Sequence, residues 1–132
     1  MIRRKDKYLV TRRSASNDYK PLKWDIPGGV AKVGETLEDT IFREVCEETK
    51  LTIHIDDVIF VYSNRDQLPV RQTFQVVYLC RLERGKIRLN PVEHDAYQWL
   101  SYEDIANLDT IDFLRELIKS CSPTDWKVQC KD

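Results

Sequence analysis

Leu37, Ile41 and Val45 recur every four residues, with Phe42 and Cys46 beside them, and this repeat constrains the chain more than any other feature. It predicts an amphipathic helix over residues 36–49. Thr36 with Asp39 three residues on supplies a capping start. A helix with one apolar stripe must lay that stripe on another element. The partners on offer are strands. Residues 7–14 (KYLVTRRS), 57–63 (DVIFVYS) and 72–83 (QTFQVVYLCRLE) are β-branched and aromatic. Residues 85–89 (GKIRL) read as a short strand or strand edge, and 96–100 (AYQWL) alternate like a further strand. Lys5-Asp6 reads as a turn and residues 16–21 (SNDYKP) as a polar loop. Ser101, with Asp104 three residues on, looks like an N-cap. Ile111, Leu114, Leu117 and Ile118 make residues 109–120 a second amphipathic helix, and Trp126 is expected to dock the tail. The order of strands, helix, strands, helix predicts an α/β (α+β) fold, a mixed sheet with helices packed on it.

A chain of 132 residues suits a single domain with one core, here expected over 1–132. The net charge of -1 provides no basic field that would argue for nucleic acid. No apolar run is long enough to span a bilayer. The start, MIRRKDKYLV, is basic but lacks the apolar core and cleavage site of a signal peptide. Cys46, Cys80, Cys121 and Cys130 have no CxxC spacing, so neither a zinc site nor a disulfide framework is expected. Cys46 and Cys80 are expected to act as small apolar residues, and reduced thiols imply a cytoplasmic location.

Near the end of the first helix stand Glu44, Glu47 and Glu48. At about 100° per residue, Glu48 falls about 40° to one side of Glu44 and Glu47 about 60° to the other. The stripe of Ile41, Phe42 and Val45 is expected about 110° away, leaving the carboxylates on a separate flank. Like charges at i,i+4 cost about 0.2–0.5 kcal/mol. Anions at a helix C-terminus cost about 0.3–1 kcal/mol more. Arg43 can pair with Glu47 at i,i+4 but cannot serve all three. A cluster that breaks local rules in this way points to function, and the compensating partner for three carboxylates is a hard divalent cation, Mg²⁺ or Mn²⁺. Taken alone, an EVCEE run on a helix reads more readily as a solvated acidic face with ordinary ion pairs. The residues around it change that balance.

Gly29, five residues, Glu35, seven residues, Arg43-Glu44-Val45-Cys46-Glu47-Glu48 and then Leu51 resemble the Nudix box, G-x5-E-x7-R-E-U-x-E-E-x-G-U, where U is a large aliphatic residue. Every fixed position matches except one, where Lys50 replaces the family glycine. The segments WDIPGG (24–29) and EHDAYQWLSYEDI (93–105) resemble the family's lead-in to the box and its late strand-to-helix segment.

The resemblance implies the Nudix fold, a mixed sheet between helices. It also implies metal-dependent hydrolysis of a nucleoside diphosphate linked to another moiety: a nucleoside triphosphate, ADP-ribose or a nucleotide sugar. Carried over by position, Glu44, Glu47 and Glu48 become metal ligands, with the carbonyl of Gly28 a further one. Arg43 would orient the glutamates, Glu35 would support the loop or the metal's outer shell, and Gly29 would let the backbone come close. The general base in this family is a box glutamate or a residue on a later loop. Here that loop offers Glu93, His94 and Asp95, of which Glu93 is favoured. The alternative is a Nudix-fold module that binds a nucleotide or a regulatory partner without turning it over.

Lys50 is expected to stand where the helix closes in a left-handed conformation. The first strand is short by the family's standard, which leaves room for a homodimer in which a partner supplies that edge. Arg3, Arg4, Lys5, Lys7, Arg12 and Arg13 are expected mainly as solubilising charges on an edge strand. Among Trp24, Tyr62, Phe74 and Tyr78, core positions are expected ahead of a base-stacking role. Pro69, past the box, points toward an ADP-ribose type, but the substrate stays open within the nucleotide class.

Overall fold

The computed structural model describes residues 1–121. The elements are β1 (Ile2–Arg4), β2 (Lys7–Arg13), β3 (Trp24–Asp25), α1 (Leu37–Thr49), β4 (Thr52–Asn64), β5 (Thr73–Arg84), β6 (His94–Leu100), α2 (Tyr102–Ile105) and α3 (Asp112–Ser120). The strands form one sheet in the order β3-β2-β1-β5-β4, with β6 also paired to β2. β1 runs antiparallel to β2, with Arg3 opposite Tyr8, and parallel to β5, with Ile2 opposite Cys80. That parallel pair makes the sheet mixed. β4 and β5 form a long antiparallel hairpin from Thr52 opposite Arg84 to Asn64 opposite Thr73.

Successive strand residues point to opposite faces, and both faces here are covered. Tyr8, Val10, Val77 and Leu79 pack with Leu114 and Leu117 of α3. Leu9, Tyr78 and Cys80 pack on the other face with Val45 of α1 and with Leu51 and Ile53, which follow it. The sheet therefore lies between helices, as the sequence predicts. The thirteen-residue helix α1 begins at the expected cap. Thr36 accepts from the Asp39 N–H, and Asp39 accepts from the Thr36 N–H.

Four expectations need correction. The inward face of α1 carries Thr40, Val45, Glu48 and Thr49, while Leu37, Phe42 and Cys46 are exposed. Val45 and the half-buried Ile41 pack with Leu9, Leu51, Ile53, Tyr78 and Cys80, and Glu48, three residues after Val45, lies on the same side of the helix. β1 and β2 are interior strands, and Arg4, Arg12 and Arg13 are engaged rather than lining an edge, while Lys5 and Lys7 are exposed. Arg12 pairs with Asp95 at 2.8 Å, Arg13 pairs with Asp25 at 3.2 Å, and the Arg4 guanidinium lies 4.3 Å from the Trp99 ring centre. Residues 85–89 form no strand. Ile87 packs on the α1-side core, and the Arg88 N–H donates to the Thr49 carbonyl. The last helix starts at Asp112 because residues 109–111 are extended beside β3, where Trp24 donates to Asp109 and accepts from Ile111. Trp126 lies outside the described residues.

Candidate active site

The loop between β3 and α1 folds back along the helix and meets its C-terminal half. Arg43 fastens the two. Its Nε and Nη2 donate to the two Glu35 carboxylate oxygens at 2.7 and 2.9 Å, and Nη2 also donates to the Val30 carbonyl at 3.1 Å. Its Nη1 reaches Glu44 at 2.7 Å and Glu47 at 3.3 Å. The Arg43 guanidinium, with help from the Lys32 N–H, holds the Glu35 carboxyl down at about 2. Glu35 is therefore the anchor of the loop. Gly29 lies against Glu44: a Cβ at Gly29 would stand 2.3 Å from the Glu44 carboxyl carbon, so only glycine leaves that carboxylate room. Gly28 meets no such obstacle.

Arg43 serves Glu44 and Glu47. Glu48 is only 8% exposed. One N–H, from Gly28, donates to its Oε2 at 3.0 Å. Burial pushes its carboxyl up to about 8, and the nearby charges of Glu44, Asp25 and Glu93 push the same way against the Gly28 hydrogen bond. The structure thus brings together Gly28, Gly29, Glu35, Arg43, Glu44 and Glu48. Glu47 sits beside Arg43 with its side chain 55% exposed. Glu93 lies in the turn before β6, exposed, with its carbonyl accepting from the Ser14 N–H and its charge felt at Glu48.

Two further titratable neighbours are buried, Asp25, which the sequence reading does not mark, and His94, which it places on the later loop with Glu93. Asp25 is 7% exposed, and its carboxyl accepts from the Ile26 N–H at 2.7 Å and from Arg13 at 3.2 Å. Burial raises its pKa. The available signal was an acid inside the otherwise apolar WDIPGG. His94 was weighed only beside Glu93. It is buried, its Nδ1 has no hydrogen-bond partner, and burial lowers its pKa to about 4. A cavity of about 440 Å³ opens beside Gly28 and Gly29 and is lined also by Asp25, Arg13 and β5.

Among the described residues, no three Asp, Glu, His or Cys side chains converge as a ready-made metal cage. A hard cation that keeps waters and shares its shell with substrate phosphates does not need one. The donor set fits such an ion. Its oxygens are carboxylate, and the most buried of them, on Glu48, is held in its protonated form by burial near neutral pH, so a cation entering there would take the place of a proton.

The architecture is a mixed sheet between helices, with an arginine-braced row of carboxylates at the end of one helix. The NUDIX domain family model matches residues 1–121, and the chain belongs to that family. It is 31% identical over 106 residues to a MutT-like protein of Streptomyces ambofaciens, covering 80% of this chain and 63% of that protein. It is 28% identical over 118 residues to an ADP-ribose pyrophosphatase of Methanocaldococcus jannaschii, covering 89% of this chain and 66% of that one. The chain therefore spans slightly less than two thirds of the length of these relatives. The fold is also that of a MutT NUDIX hydrolase from Burkholderia pseudomallei, with a TM-score of 0.81, 22% identity and 92% of each chain covered.

Proposed function

We propose that the chain hydrolyses a phosphoanhydride bond in a nucleoside diphosphate linked to a further group, with Mg²⁺ or Mn²⁺ held by Glu44, Glu47, Glu48 and the carbonyl of Gly28. The observation that carries this reading is Glu48, a buried carboxylate surrounded by other acids and given one hydrogen bond. A fold does not keep such a group for stability, because burying an unbalanced charge is costly. A cation beside it turns the cost into affinity.

When bound, the metal neutralises phosphate oxygens and makes water easier to deprotonate. The remaining roles fall to the chain's own residues. Arg43, gripped by Glu35, holds Glu44 and Glu47 in place, so the carboxylates are set before substrate arrives. Gly29 keeps the backbone close to Glu44. Glu93, exposed beside the cluster, is the favoured base to take the proton of the attacking water, with the box glutamates as the other source. The cavity beside Gly28 takes the nucleoside portion. The ADP-ribose pyrophosphatase relative supports a substrate of this class. Buried, unpaired Cys80 suits a reducing compartment, in keeping with a cytoplasmic location.

The test is a screen of nucleoside triphosphates, ADP-ribose, nucleotide sugars and dinucleotides, with Mg²⁺ or Mn²⁺ and then with a chelator. The expected result is release of phosphate, pyrophosphate or a nucleoside monophosphate from at least one class, abolished by the chelator. Turnover of none of them, with nucleotide binding intact, would favour the binding-module alternative.

A further inference from the structure

Phe74, near the start of β5, is 69% exposed. The expectation of a core position fails for it, and the reason is local. Its cross-strand partner on β4 is Ser63, which is small and itself exposed, so it cannot cover a ring. On the other side of β5, β1 pairs only at Cys80 and Arg81, well past Phe74. Among the described residues, no strand pairs with Phe74 on that side. A ring left in water forgoes the burial that stabilises a fold.

The ring lines the cavity that opens beside Gly28 and Gly29. Alternation along β5 puts it on the face of Val76, Tyr78 and Cys80, the face that α1 covers. Val30 and Leu37, both exposed, and the half-buried Ile41 and Val76 line the same cavity. Apolar residues exposed singly are ordinary, whereas several gathered on one cavity mark a binding surface. The two glycines tie that surface to the carboxylates: the Gly28 N–H donates to Glu48, and Gly29 lies against Glu44. One cavity therefore joins an acidic end to an apolar end that carries an open aromatic face. A ligand that suits both ends has phosphates, with their cation, at one end and a flat ring at the other. A nucleotide has both.

Resting on the hydrolase reading for the placement of the phosphates, we propose that Phe74 is the platform on which the nucleobase of the substrate stacks. A ring face carries no pattern of donors and acceptors, so it takes purines and pyrimidines alike and disfavours phosphate compounds that have no base. The substrate class is then a nucleoside diphosphate derivative chosen for having a base rather than for which base it has.

Nucleoside monophosphates bind without turnover, and ribose 5-phosphate is the same ligand without its base. AMP, CMP and ribose 5-phosphate are titrated with Mg²⁺ present into the full chain, Phe74→Leu and Phe74→Trp, and followed by proton NMR. The leucine keeps apolar bulk and removes the ring. The parent should bind AMP and CMP at least about tenfold more tightly than ribose 5-phosphate, with the base protons shifted upfield as they are over a ring face. Phe74→Leu should weaken AMP and CMP about tenfold, remove the upfield shift and leave ribose 5-phosphate binding unchanged, and Phe74→Trp should restore the first two. The melting temperatures should stay within about 2 °C of the parent's, since the side chain is exposed. Ribose 5-phosphate bound as tightly as AMP, binding of no ligand, an upfield shift that survives in Phe74→Leu, or a loss equal for all three ligands would overturn the assignment. The hydrolase reading is scored separately. Ring-dependent binding of AMP and CMP, in a protein that turns over no phosphoanhydride, sinks that reading and leaves the role of Phe74 standing. Hydrolysis whose kcat/KM is the same in the parent and Phe74→Leu does the reverse.

Discussion

Lys50 closes α1 in a left-handed conformation, φ 66° and ψ 15°, with its N–H donating to the Cys46 carbonyl at 3.0 Å. A lysine there carries a steric cost of roughly 1–2 kcal/mol that glycine avoids, partly offset by the greater freedom glycine loses on folding. Lys50→Gly should therefore stabilise the protein by about 0.5–1 kcal/mol, seen as a higher urea midpoint at unchanged slope. This position was legible in the sequence, since helix closure is a local matter of one residue's backbone. Gly29 was legible only as a spacing. What requires glycine there is the Glu44 carboxylate, a residue fifteen positions on, whose approach no pattern of letters describes. Gly29→Ala should displace Glu44 from Arg43 and cut the proposed hydrolysis by tenfold or more. Its cost to stability should stay within about 1–3 kcal/mol, and comparison of kcat/KM with denaturant midpoints separates the two effects.

Among the elements, the four-residue repeat located α1 and its inward Ile41 and Val45, but misplaced Leu37 and Phe42 and missed the burial of Glu48. Periodicity ranks residues by apolarity, and here the helix buries Thr40, Glu48 and Thr49 while exposing Leu37 and Phe42. A buried glutamate is what binary patterning does not anticipate. It has a consequence for pH. The Glu48 carboxyl is raised from 4.5 to about 8 in the fold, so its favourable contribution is complete below about 4.5 and is lost as pH rises through about 8. His94 acts in the opposite sense: lowered from 6.5 to about 4, it favours the fold above 6.5 and loses that contribution as pH falls toward 4. Above pH 6.5 the Glu48 effect stands alone of the two. Because the buried Met1 amino group acts in the opposite sense near pH 8 in any variant, the signature is a difference: relative to Glu48→Gln, chelator-treated parent should lose about 1–2 kcal/mol between pH 6.5 and 8.5, as followed by thermal melts across the range.

For the whole molecule, the long strands and both amphipathic helices could be read from the chain, because each is a long run of one period. The three-residue β1 and two-residue β3 could not. Each exists only through distant partners, β1 wedged between β2 and β5, and β3 beside β2 and Thr110. That is why the start of the chain read as an edge when it is interior. The sheet separates two apolar layers, one under α3 and one under α1. Leu117→Ala and Leu51→Ala empty space in different layers, so each should cost about 2–5 kcal/mol. Their effects should add to within about 0.5 kcal/mol in the double variant, measured by urea unfolding. A large coupling would mean that the layers act as one core.

The carboxylates of α1 are proposed to form a divalent-cation site centred on buried Glu48. Calorimetric titration of Mn²⁺ into chelator-stripped protein tests it most directly, with the parent and Glu48→Gln side by side. The account predicts saturable binding by the parent, weakened at least about tenfold in a Glu48→Gln variant whose metal-free melting temperature is equal or higher. Equal Mn²⁺ affinity in both proteins, or a Glu48→Gln variant that loses stability and keeps its metal, would contradict it.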